Sequence, residues 1–473
     1  MNQKWISLLV ATALLAGCTP SVEPEVEQKP IEQTQEGTEE NTQTAEETPA
    51  DTHIETNEPA QPEEEVEAVE QPAEEVEQIA EEPVEEEEAP KLPLPDRKVI
   101  GQVDSRESAQ EALVAAIGMY QELIKLSQDK AQMVDVETPY WTQTYTLLPT
   151  YYTSKEDLRQ DLMHYYSPGA ADQILSQIRV FEMGGRIGLP EMYSASLWDM
   201  EDLRIAPWEA SENSYLLNTK GAFEDKKTDY KVHFVSTEAG DRLDTVPGSG
   251  KTVVVRNSLM ILENYKAEPG LEIRIPVFVG PTAEELNTSL QETLTSMEAW
   301  QNEVKEFNAT TATNPEEDVT GVGLPAQEVW QNWSILKQHD DILVLSLGVS
   351  NFIQGAAHPN HGRTIITLDL NTGNRVALME IFDNQALARV AMDRFIEEYL
   401  KTNKEGFYND ADKVFEGIGD NRGFGWTAGG LIIYFDQYEI APYAAGFPEI
   451  EIPWDVVLPH MKEEYKKRLI PGA

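Results

Sequence analysis

The chain has one cysteine in 473 residues, Cys18. That excludes structural disulfides and any zinc site built on cysteine. Basic residues are scarce as well: 36 Lys and Arg stand against 84 Asp and Glu, a formal net charge of −48. A nucleic-acid partner needs a basic face for its phosphates, so that class is set aside. Between Thr19 and Pro90 there is no Phe, Trp or Tyr. Beyond Ala16 no run is apolar enough for a transmembrane helix. Catalytic signatures are also missing. There is no Gly-x-Ser-x-Gly elbow and no His-Glu-x-x-His helix.

What is present starts at the N-terminus. Lys4 precedes the apolar run Ile6–Ala16, and Leu15-Ala16-Gly17-Cys18 follows as a bacterial lipobox. So short an apolar core suits a signal peptide and is too short to span a bilayer. Residues 1–17 are therefore expected to be removed and Cys18 to carry acyl chains, palmitate among them. Each buried CH₂ contributes ~0.8 kcal/mol, so several chains hold the protein at the membrane. The expected place is the extracytoplasmic face of the cell membrane.

Residues 18–91 read as a disordered acidic linker. From Thr19 to Pro90 there are 26 Asp and Glu and one basic residue, Lys29. Such a tract cannot bury enough apolar surface to offset its chain entropy. As a flexible coil it reaches roughly 45–50 Å, further with charge repulsion. The residues after it still sum to −24, a field that favours cationic partners or plain solubility.

Folded sequence is predicted from about Leu92. Asp104 with Glu107 forms a capping box for a helix carrying Ala109, Leu113, Ala116, Ile117, Tyr120 and Ile124. Thr153 and Glu156 open a second helix, and Ser167-Pro168 a third. Strands are expected at 179–182, 191–197 and 230–236. Residues 237–252 are turn-rich and mark a boundary. Further on, 271–279 reads as a strand, Thr282 starts a helix, and 308–318 is a polar loop. Strands follow at 342–352, 364–370, 431–435 and 450–453, with Asn371–Asn374 as a hairpin turn. A helix over 384–401 is predicted to pack Leu387, Val390, Ala391, Phe395 and Leu400. The fold class is α+β, with antiparallel sheets and packed helices in two or three domains.

Four constellations invite chemistry. His358 and His361 are three apart, but no third metal ligand accompanies them. The glycines of 423–430 lack the Lys-Ser/Thr ending of a phosphate loop, so a turn between strands is expected. Asp436 is the best-placed carboxylate, and capping or solvating its loop explains it. Tyr140, Trp141, Tyr151 and Tyr152 suit either a glycan platform or a core. The loop Gln437–Phe447 stands apart, because Tyr438, Pro442, Tyr443 and Phe447 are what a protein–protein hot spot uses. The alternative is that its tyrosines close the core. No metal and no cofactor is predicted, and the chain is not expected to be an enzyme.

Two resemblances sharpen this. The segment Phe352–Asn360 with its Gly355-Ala356-Ala357-His358 turn, the Asp369-to-Gly373 hairpin, Ile381-Phe382, Gln437–Gly446 and Ile450–Pro453 resemble the extracellular domain pair of the RsiV anti-sigma family, also found with peptidoglycan deacetylases. The resemblance implies a companion domain over 250–310 and a C-terminal α+β domain over 325–470. It also implies a receptor for lysozyme and a Gram-positive host, and it explains His358 as part of the family turn. No sigma-factor-binding segment and no deacetylase domain accompany it. Residues 92–245 are similar to the IseA family of DL-endopeptidase inhibitors, through Tyr145–Leu148, the helix from Lys155, Gly184-Gly185-Arg186 and Trp198. The expected function is binding, sensing or inhibiting a cationic cell-wall hydrolase. The alternative is an accessory that binds or processes peptidoglycan.

Overall fold

In the computed structural model, residues 92–470 are described, apart from 138–141, 184, 193–197, 201–202, 209–211, 221–225, 257, 314–325 and 340. Cys18, the signal peptide, the linker, Tyr140, Trp141, Gly184 and most of the expected 191–197 strand lie outside the described residues. The fold is α+β, as its sequence pattern predicts.

Helix α1 (Arg106–Ser127) buries Ala109, Leu113, Ala116, Ile117, Tyr120 and Ile124, the predicted stripe. Its cap is Ser105 rather than Asp104. Ser105 Oγ accepts the Ser108 N–H at 3.1 Å, and Ser108 Oγ accepts the Ser105 N–H at 3.0 Å. Two strands, β1 (Met133–Glu137) and β2 (Thr142–Leu147), follow. Helix α2 (Lys155–Leu162) repeats the offset: Ser154 caps it with Asp157, one residue beyond the expected pair. Adjacent oxygens can each serve as cap, and local sequence does not rank them. Helix α3 (Pro168–Ile178) starts at Ser167-Pro168 as predicted. Arg179 ends it in the left-handed region, φ 54°, so the expected strand begins only at Phe181. That strand, β3 (Phe181–Met183), joins β4 (Arg186–Leu189) in a small sheet ordered β1-β2-β4-β3.

A ten-stranded sheet follows: β5 (Arg204–Pro207), β6 (Ser214–Lys220), β7 (Lys227–Thr237), β8 (Gly240–Leu243), β9 (Lys251–Arg256), β10 (Leu259–Glu268), β11 (Leu271–Val279), β12 (Gln327–His339), β13 (Ile342–Ile353) and β14 (Asn360–Asp369). It runs β14-β13-β12-β11-β10-β9-β7-β6-β5, with β8 on β7. β7 pairs with β9 across the turn-rich 237–252 stretch, so residues on both sides share one sheet. Among the described strands β11 and β12 form the parallel pair, over Leu271–Ile273 and Val329–Gln331. A parallel pair needs a long crossover, and helix α4 (Ala283–Thr313) lies within it. This helix extends over 308–313, the first part of the polar loop expected at 308–318, whose remainder lies outside the described residues. The Asn308 amide reaches β12, accepting the Gln327 N–H and donating to the Gln327 carbonyl, both at 2.8 Å. Its polarity serves a cap and does not break the helix.

After β14 the chain turns at Asn371–Asn374, with the Gly373 N–H on the Asp369 carbonyl at 2.8 Å. The expected hairpin is completed by a single bridge, Leu368 to Arg375, rather than a strand. Helix α5 (Gln385–Thr402) buries Ala388, Met392, Ile396 and Leu400. Leu387 and Val390, expected inside, are exposed. Both faces carry apolar residues, and the packing of the C-terminal core selects the one with the even four-residue repeat. Helix α6 (Ala411–Val414) leads to a three-stranded sheet of β15 (Phe424–Trp426), β16 (Gly430–Tyr434) and β17 (Glu449–Pro453). Helices α7 (Trp454–Val457) and α8 (Glu463–Leu469) complete the described chain. This sheet, with α5, α7 and the last helix, encloses Phe382, Trp426, Phe435, Ile440 and Ile452 in one core. No helix of the described residues is long and apolar enough to cross a membrane.

Candidate functional site

The turn after β13 and the loop between β16 and β17 are about 80 residues apart in sequence, yet their side chains meet. The His358 ring stacks on Tyr443, with centroids 4.0 Å apart and planes at 26°. His361 stacks on the same ring at 5.9 Å, and Tyr438 lies 5.9 Å from it. Tyr443 Oη donates to the Pro359 carbonyl at 2.8 Å, tying loop to turn. His361 Nδ1 is 2.7 Å from Ser350 Oγ. Burial and then the nearby His358 push the His361 pKa down, which favours the neutral, hydrogen-bonding imidazole. The two histidines thus support an aromatic stack. Among the described residues no group of three His, Cys, Asp or Glu is placed to hold a metal.

Tyr438 is 53 % exposed and has φ 63°. A left-handed tyrosine is uncommon and costs roughly 1–2 kcal/mol over the ordinary conformation. Pro442 is exposed, while Tyr443 and Phe447 are half-buried. The tyrosines therefore neither sit wholly in the core nor project freely.

Charge holds the loop from below. Arg422 clasps Glu439, with Nη1 2.8 Å from Oε2, and Nη1 also donates to the Tyr434 carbonyl at 3.2 Å. Glu439 Oε2 accepts the Asp436 N–H at 2.9 Å. Asp436 is thus capped by its neighbour and does not itself cap. Burial, then the Glu439 charge, push its carboxyl pKa up, against the pull of Arg422 and Arg363. A carboxyl raised above its unfolded value holds its proton more tightly in the native state. Its ionisation therefore weighs on stability above the folded pKa, and that burden fades as pH falls through it. Asp436→Asn is expected to melt higher than the parent at about pH 7.5, with the gap closing near pH 4. Thermal melts across that range check it; a pH-independent gap would remove the ionisation account.

The remaining sequence candidates fall elsewhere. Tyr152 is fully buried and donates to Asp161, so it belongs to the core and not to a glycan platform. The glycines of 423–430 lie in the hairpin of β15 and β16. A Cβ on Gly430 would come 2.1 Å from the Ile452 carbonyl oxygen, which explains glycine there without a phosphate. Sequence reasoning missed Arg363 on β14, whose guanidinium lies 4.5 Å from the Phe447 ring and 5.0 Å from the Tyr434 ring. Only its alternation within an apolar strand, against an aromatic loop, could have signalled it.

No curated protein matches this chain. Among solved structures, a member of the DUF3298 family from Bacteroides fragilis is 17 % identical with a TM-score of 0.34, covering 44 % of this chain and 94 % of that one. A DUF3298 family protein from Pseudomonas aeruginosa is 20 % identical with a TM-score of 0.31, covering 46 % and 97 %. Residues 380–455, which include α5, the small sheet and the aromatic loop, match the family model described as a protein of unknown function (DUF3298).

Proposed function

We propose that this chain is a lipoprotein tethered at the extracytoplasmic membrane face through Cys18, and that its C-terminal region binds a cationic cell-wall hydrolase. The supporting observation is the cluster of exposed Tyr438 and His358 about the half-buried Tyr443, whose loop is braced by Arg422 and Glu439. Rigid aromatics bury much area at small rotamer cost, the usual chemistry of a hot spot. The net charge of −24 beyond residue 90 would steer a basic muramidase toward it. Lysozyme is the first partner to test, and a DL-endopeptidase the second. The protein would act by binding rather than by catalysis.

The test is biolayer interferometry of the Cys18→Ser chain against a c-type lysozyme at low and physiological salt. Saturable binding at physiological salt supports the reading, whereas binding lost with salt would be charge attraction alone. Tyr443→Ala is expected to weaken the complex by more than ~1 kcal/mol. Tyr438→Gly separates strain from recognition. It should relieve the left-handed backbone and hold or raise stability by up to ~1 kcal/mol, while weakening the complex. Unchanged affinity in both variants would take the loop out of the interface. Incubation with muropeptides tests the alternative, since any mass change in them would point to a processing role.

A further inference from the structure

Arginine carries two N–H groups, on Nε and Nη2, along one edge, spaced to match the two oxygens of a carboxylate. This chain uses that edge repeatedly. At Arg97 it takes both oxygens of Asp161, at 2.9 and 2.7 Å, and at Arg274 the two N–H groups converge on one oxygen of Glu272, Oε1, at 3.3 and 3.0 Å. At Arg159 it takes Asp172, with Nη2 at 3.2 Å.

Arg363 holds no carboxylate there among the described residues. Its Nη1 donates to Glu449 Oε1 at 3.3 Å, at the far end of the guanidinium. Its Nε and Nη2 are buried and have no hydrogen-bond partner among the described residues. The side chain is 13 % exposed, beside the Phe447 and Tyr434 rings. Those rings attract the cation but accept poorly along its edge. An unmet buried donor costs ~1–3 kcal/mol, more for a charged group. Among the described residues no carboxylate is bonded to this edge. Asp436 is close enough to feel Arg363 but does not bond to it.

Phe447 is half-buried and follows Gly446, whose φ is 69° and beside which a Cβ would meet nothing within 4 Å. The ring lies against the guanidinium, with its centroid 4.5 Å from the Arg363 Cζ.

We propose that Arg363 is the recognition residue of a carboxylate-binding site, in which a small ligand's carboxylate displaces the Phe447 ring and pairs with the Nε and Nη2 edge. The enclosure favours a small terminal group, such as a peptide C-terminus or the acid of an N-acylated amino sugar, over a protein surface. This site does not depend on hydrolase recognition, and lysozyme binding and carboxylate binding can each be lost alone.

The experiment follows the arginine Nε–H resonances of the ¹⁵N-labelled full chain, with Arg363 assigned from Arg363→Lys. N-acetyl-D-alanyl-D-alanine and N-acetylmuramic acid are the probes, and their carboxamides the controls. A saturable shift of the Arg363 signal with at least one acid and neither amide is expected. Which acid acts tells peptide from sugar. In Arg363→Lys, where the Arg363 resonance is gone and binding is followed by saturation transfer to the acid, affinity should fall about tenfold, because a point ammonium cannot pair along two bonds. Phe447→Ala, which keeps the arginine and removes its cover, should tighten binding several-fold. An equal response to the amides, or no shift in either the parent or Phe447→Ala at tens of millimolar, overturns the proposal.

Discussion

Replacing Arg97 with Met is expected to lower the stability of the folded region by about 3–5 kcal/mol, the usual cost of leaving one member of a buried ion pair alone. Arg97 stands close to the start of the described chain, yet it ties two helices together. It holds Asp161 of α2 in a bidentate pair at 2.9 and 2.7 Å and donates to Glu122 of α1 at 2.6 Å. The Asp161 side chain has no exposure, and Tyr152 donates to it as well. The hydrogen bond to Asp161, ahead of the Glu122 contact, raises the Arg97 pKa far beyond its ordinary value. With the guanidinium gone, Asp161 is left with the Tyr152 hydroxyl and, at 3.8 Å, His164 Nδ1, and faces a large desolvation penalty. Glu122, more exposed, finds water. Denaturant unfolding of Arg97→Met measures the loss. The double variant Arg97→Met/Asp161→Asn is expected to recover more than half of it, because no buried charge then remains. A double variant as unstable as the single would show that packing by the arginine stem, rather than charge, is what matters.

Trp426→Ala is the second large effect, a loss of about 3–5 kcal/mol for a truncated core tryptophan. Trp426 lies in β15 at 1 % exposure, within the core that also holds Phe424, Leu431 and Ile452. Its indole N–H has no hydrogen-bond partner among the described residues. That predicts an asymmetry between substitutions. Trp426→Phe keeps most of the apolar volume and removes an unmet donor worth ~1–3 kcal/mol, so it should cost less than ~1.5 kcal/mol. Chemical denaturation of the two variants side by side checks this. Equal losses would mean that the N–H does have a partner and the site is polar.

Several elements were legible in the sequence because they rest on local physics. The α1 stripe, the Ser167-Pro168 start, the strand at 271–279 and the antiparallel α+β class follow from periodicity and turn chemistry. The errors have local causes too. Asp104 and Ser105, like Thr153 and Ser154, offer adjacent cap oxygens, and the chain uses the second of each. Asn308 reads as loop chemistry, but its amide is spent on β12. Leu387 and Val390 make a plausible inner face for α5 until the core presents Ala388, Met392 and Ile396 instead.

The site divides in the same way. Composition and spacing singled out the Gln437–Phe447 loop, since runs of aromatic, Pro and Gly residues between apolar strands are visible in one dimension, whereas the His358 turn stood out through the resemblance of residues 352–360 to a known family. The Leu15–Cys18 tetrapeptide, the acidic tract and the single cysteine are likewise properties of the chain itself. Only the tertiary structure brought His358 onto Tyr443, set Arg422 and Glu439 under the loop, and left an Arg363 edge without an acceptor. The reason is range. Periodicity and capping act over a few residues, whereas a ring stack or an unmet donor depends on strands about 80 residues apart, and the packed core alone sets their register.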